Sequence, residues 1–146
     1  MGALGDLKAL VFKGYLETTA VISMDDPGNP TAVPPVPAST KDFTFTMRTP
    51  NMLEEAEGIA LAGFDKLPTK ENEDGSVTIV LSGPEFSRYI LGLLCVVVKS
   101  VNGEAVTPAE MEDFLKSVPA EISTQLWVAY AKLGGKASAA GVELKN

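Results

Sequence analysis

Hydrophobic and polar positions alternate most cleanly from Asp42 to Thr49, where Phe43, Phe45 and Met47 take one side and Thr44, Thr46 and Arg48 the other. That period of two predicts a half-buried strand. It runs into Thr49-Pro50, an N-cap residue followed by proline at the first helical position. The helix predicted there groups Met52, Leu53, Ala56, Ile59, Ala60 and Gly63 on one face, with Glu54, Glu55 and Glu57 on the other. Three carboxylates in one helix invite a metal or acid-base reading, but this spacing and the helix dipole favour a solvated acidic face. Farther on, Val77 to Leu81 reads as a short strand preceded by an Asp74-Gly75 turn.

Ser82-Gly83-Pro84-Glu85 is a capping box, and the helix it opens is expected to run to about Val101 and to stop at Asn102-Gly103. From Phe86 to Val101 its polar residues are Ser87, Arg88, Lys99 and Ser100, two near each end. A helix apolar all round is buried all round. Thr107-Pro108-Ala109-Glu110 repeats the capping chemistry before Met111, Phe114 and Leu115. A last helix after Pro119 carries the stripe Ile122, Leu126, Trp127, Tyr130 and Leu133.

The first forty residues have a different texture. In Leu7 to Ser23, Leu7, Leu10, Val11 and Tyr15 would suit a helical face, but Thr18 to Ile22 favours a strand, and the stretch is read as one or two extended segments. Five of the ten prolines fall between Asp25 and Lys41. Proline fixes φ and removes a donor, so this stretch is predicted to be an extended linker. Within it, Val33-Pro34-Pro35-Val36-Pro37 suits a semi-rigid spacer, with a docking ligand for a partner's groove as the alternative. The expected organisation is an extended N-terminal arm over 1–41, a helical core domain over 42–134 and a flexible tail over 135–146. The fold class is α+β: a small, mostly helical domain of about four helices around a buried central one, with a few short strands.

Composition removes several functions. The chain has 146 residues, no histidine and one cysteine, so His-dependent triads, His-ligated metals and an intrachain disulfide are excluded. Nineteen acidic against twelve basic residues give a net charge of −7, the wrong balance for nucleic acid. Arg48 and Arg88 are the only arginines. Cys95, inside Leu93-Leu94-Cys95-Val96-Val97-Val98, is expected to fill the core as an unreactive thiol. The opening residues Met1 to Asp6 lack a basic leader, and the apolar run Tyr89–Val98 is half the ~20 residues of a membrane span. The chain is expected to be soluble. Phosphate-binding glycine motifs, a nucleophile elbow and the calcium-loop ladder are absent from the sequence, and neither an enzyme nor a cofactor is expected.

The segment Lys41 to Leu133 resembles the small tail assembly chaperones and baseplate-hub assembly proteins of tailed bacteriophages. Three stretches carry the likeness: the strand and acidic helix from Phe43 to Glu57, the buried helix and polar turn from Arg88 to Glu104, and the "short helix, proline, amphipathic helix" unit from Phe114 to Tyr130. The resemblance implies a non-enzymatic protein that binds other tail proteins (tape measure, hub or tube components) during assembly or as a structural adaptor. It further implies a homo-oligomer or multi-subunit assembly, in the host cytoplasm or in the virion tail. The alternative is a bacterial adaptor domain that docks peptides, with no viral role. Candidate interface residues are Tyr15, Val33, Pro35 and Val36 in the arm, and Trp127 and Tyr130 on the last helix.

Overall fold

A computed structural model describes residues 2–11, 17–134 and 142–144 of the chain. It is an α+β domain, in chain order α1 (Ala3–Val11), β1 (Glu17–Asp26), β2 (Ser39–Arg48), α2 (Met52–Leu61), β3 (Thr69–Glu71), β4 (Val77–Leu81), α3 (Gly83–Val97), β5 (Val98–Val101), β6 (Glu104–Ala105), α4 (Pro108–Ser117), α5 (Ala120–Gly134) and β7 (Val142–Leu144). One sheet has the order β1-β2-β5-β6 and is antiparallel throughout; a smaller one has the order β3-β4-β7.

The N-terminal region departs from the extended arm that the sequence suggested. Ala3–Val11 is helical, and Glu17–Asp26 pairs with β2 along its whole length, from Glu17 opposite Arg48 to Asp26 opposite Ser39. Ile22, opposite Phe43, is only 1% exposed and belongs to the main core. The proline-rich stretch is therefore the loop of a long hairpin rather than a linker between bodies. Prolines that cannot donate to a ladder are accommodated where the ladder has ended. The loop holds itself with Asn29 and Val36, each donating its N–H to the other's carbonyl at 2.8 and 2.9 Å. Two ten-residue strands also exceed the few short strands expected.

The apolar helix ends earlier than predicted. At Val98 the backbone turns extended (φ −76°, ψ 117°), and Val98–Val101 becomes a strand beside β2. The β-branched run Val96-Val97-Val98 favours that change, and the ladder on β2 satisfies backbone groups that a helix end would leave unpaired. Asn102-Gly103 is then a hairpin turn rather than a helix stop. Both residues have positive φ, 51° and 81°, as a type I′ turn demands. The Asn102 side chain continues the sheet by accepting the Thr44 N–H at 2.7 Å.

The capping boxes at Ser82/Glu85 and Thr107/Glu110 form as read. That of α2 uses Asn51 and Glu54 rather than Thr49. The face of α2 turned towards the protein also differs from the predicted one. Gly58 and Ala62 are buried, whereas Met52 and Leu53 are 87% and 80% exposed. Residues 142–144 of the predicted tail form β7, parallel to β4.

Apolar side chains gather in two clusters. The larger joins Ile22, Phe45 and Met47 of the sheet to the C-terminal half of α3, with Met111 and Leu115 of α4 and Leu126 and Tyr130 of α5. The smaller joins Ala62, Phe64, Leu81, Tyr89 and Leu93. Trp127 packs against both.

Candidate functional site

The parity of the two long strands builds the most distinctive surface. Ala20, Ile22 and Met24 share one face of β1, and Phe43, Phe45 and Met47 lie beside them on β2. Near the base of the hairpin the helices cover this face, with the rings of Phe45 and Phe114 tilted at 5.9 Å between centroids. Towards the tip the cover runs out. An open cleft of about 540 Å³ remains, with Ile22, Phe45, Met111 and Ile122 as its floor and Met24, Phe43, Val101, Val106 and Phe114 as its walls.

Charged groups stand at the rim only: Asp25, Asp26 and Lys41 on the hairpin and Glu110 on α4. Asp26 is held below the ordinary carboxylate range by the Gly28 N–H donated to it at 2.9 Å, then by Lys41, whose ammonium lies 3.1 Å away. Among the described residues no polar or charged side chain is buried. The cleft floor can therefore desolvate apolar side chains, each worth about 1.5–3 kcal/mol when fully transferred from water. Its size is that of a small-ligand or side-chain pocket.

Two shallower grooves flank α5. One, of about 390 Å³, separates it from β1 and exposes Val21 and Val128. The other, of about 570 Å³, lies between α3, α4 and α5 and includes Phe86, Leu91 and Trp127.

The sequence-derived interface residues fall into separate parts of the fold. Val33 is 98% exposed in the hairpin loop, beside the exposed Pro35 and Val36. Trp127 is half-buried on α5, edge-on to Phe86 at 6.1 Å and tilted against Tyr130 at 5.6 Å. Tyr130 itself is a core residue; burial first, then the neighbouring Tyr89 and Glu55, push its hydroxyl up to about 12. Tyr15 lies outside the described residues. The cleft was missed although half its signal, the Phe43/Phe45/Met47 alternation, is plain in the sequence. Its other half, Ile22 and Met24, acquires meaning only when β1 is paired with β2.

Glu54 also differs from the solvent-facing residue the sequence suggested. Its side chain is 20% exposed and is the hub of an ionic cluster, 3.2 Å from the Arg48 guanidinium and in direct contact with the Lys99 ammonium. The same carboxylate accepts the Asn51 N–H at 3.1 Å. Burial works to raise its pKa, but the Lys99 hydrogen bond, the Asn51 N–H and both cations together lower it. The cluster ties β2, α2 and β5 together and is a structural joint rather than an exposed acid.

Among the described residues no group of three or more cysteine, aspartate or glutamate side chains is placed to hold a metal ion, and no helix is long and apolar enough to cross a membrane. Compared with known proteins, the chain matches no family model, no curated protein and no solved structure.

Proposed function

We propose that this chain is a non-enzymatic tail or baseplate protein of a tailed bacteriophage, binding other tail proteins during assembly or as a structural adaptor. The viral part rests on the resemblance over Lys41 to Leu133. The binding part is supported above all by the hairpin: β1 is the outer strand of its sheet, with seven uncharged residues, Thr18 to Met24, between its terminal acids. Among the described residues this edge pairs with no further strand, and an edge of that length is suited to adding one from another chain. The loop at its end offers Val33 and Val36 to the same partner. In this reading the helices around α3 are the platform from which the hairpin is presented, and the partners are tape-measure, hub or tube components, met in the host cytoplasm.

Mass spectrometry of purified particles beside lysate tests the reading. Fixed stoichiometry in particles means a structural subunit; absence from particles with recovery in a defined complex with a tail protein means a chaperone. Absence from both overturns the proposal. The apolar cleft favours a second reading, a bacterial domain that docks amphipathic peptides; a gene neighbourhood without tube, tape-measure and hub genes would select it.

A further inference from the structure

Among the described residues, two apolar surfaces are left without cover in a single copy. The first is α1, whose Leu4, Leu7 and Leu10 are 78%, 57% and 61% exposed. Spaced three apart, they form one stripe, and none belongs to either core cluster. Nine residues are fewer than the ~12–15 at which an isolated helix becomes even marginal in water, so α1 calls for a surface to fold against. The second is the cleft under the hairpin, open over Met24 and Phe43. One copy holds both surfaces exposed at once, so it does not use one to cover the other.

The one cation of α1 fits the cleft rim as well. On a helix advancing ~100° per residue, Lys8 and Asp6 flank the leucine stripe on opposite sides. The cleft rim is mostly acidic, with Glu110 on the α4 side and Asp25 and Asp26 on the hairpin side, where Lys41 is already held by Asp26 at 3.1 Å. Seating the stripe on the cleft floor can place Lys8 against Glu110 on one side or, with the helix reversed, against Asp25 and Asp26 on the other.

We infer that the cleft receives α1 of a second copy of this chain. An amphipathic helix laying its apolar face into a hydrophobic groove is a common mode of recognition. If each copy donates its helix to the other, the pair closes with two-fold symmetry and leaves neither surface exposed. This assignment is independent of the viral reading, because it concerns only self-association.

The test is the concentration dependence of mass for the full chain, by size exclusion with light scattering. The wild type is expected to form dimers. The double variant Leu4→Glu/Leu7→Glu, altered only on exposed positions, should weaken association by at least about tenfold. Met24→Arg, on the cleft wall, should do the same, and Val106→Arg serves if Met24→Arg disturbs the circular dichroism spectrum. Loss of the dimer in both the helix variant and a folded cleft variant supports the assignment. A wild type that stays monomeric overturns it, including one in which slow amide exchange shows α1 docked within its own chain. So does a dimer that survives either change.

Discussion

Gly58 of α2 and Gly92 of α3 meet backbone to backbone where the two helices cross: a Cβ on Gly92 would overlap the Gly58 carbonyl oxygen. Glycine inside a helix costs about 0.5–1 kcal/mol relative to alanine, so an exposed Gly→Ala change would stabilise. Here the sign reverses. Gly92→Ala should destabilise by about 1–3 kcal/mol, because backbone has to move to admit the methyl group. Gly58→Ala should cost less, since its Cβ would meet the Gly92 carbonyl oxygen at 3.0 Å and the flexible end of Val96 at 3.2 Å. Urea unfolding of the two variants checks the order; a stabilised Gly92→Ala would rule out so close a crossing.

Glu54 should make the fold sensitive to acid. Its pKa is lower in the folded protein than the ~4.3 of a free glutamate. The stability this contributes is thus fully present above the unfolded value and is lost as the pH falls through the folded one. Glu54→Gln should destabilise the protein at pH 7 and reduce the loss of stability on acidification below about pH 5. Thermal unfolding of both proteins across that range measures it. A slope unchanged by the substitution would mean that Glu54 is not the group responsible.

Cys95 should behave as a protected thiol. It is 1% exposed, and burial, followed by the charge of Glu112, pushes its pKa up to about 11. Few molecules carry the thiolate near neutrality, and reagents reach the sulfur only when the core opens. Labelling of the native protein should be slow and should accelerate sharply in denaturant. Rapid native labelling would place that face of α3 at the surface.

The hairpin loop and the hairpin strands should respond oppositely to deletion. Asp26 and Ser39 are paired, so residues 27–38 can be replaced by Asn-Gly, which closes such a pair in a type I′ turn. The shortened chain should fold and gain about 1–2 kcal/mol from the smaller loop, measured by denaturant unfolding. Binding that uses Val33, Pro35 or Val36 should be lost with the loop. Removing residues 1–38 instead takes Ile22 out of the core and uncovers Phe43 and Phe45; that truncation should unfold or aggregate. A folded truncation would restore the idea of a detachable arm.

Much of the local structure was set by the chain itself. The Ser82/Glu85 and Thr107/Glu110 boxes, the alternation from Phe43 to Met47 and the Asp74-Gly75 turn each depend on residues within a few positions of one another. Such signals act through backbone geometry and short-range hydrogen bonds, and they need no knowledge of the rest of the fold. The stripe of α5 was equally legible, because a period near 3.6 records which face is apolar.

What the sequence left open was settled by contacts between distant segments. β1 is a strand because β2 offers it ten residue pairs, and the prolines between them became a loop through that pairing. Val98–Val101 left the helix because β2 had an edge to fill. Glu54 became a half-buried joint because β5 brought Lys99 to it from forty-five positions away. Gly58 and Gly92, each unfavourable in its own helix, are required only where the two helices touch. The cleft needs three strands, β1, β2 and β5, and two helices, α4 and α5, in their final places before it exists at all. Local propensity differs by fractions of a kcal/mol per residue, whereas burying a side chain or completing a ladder is worth more, so tertiary pairing decided β1, β5 and the proline-rich loop.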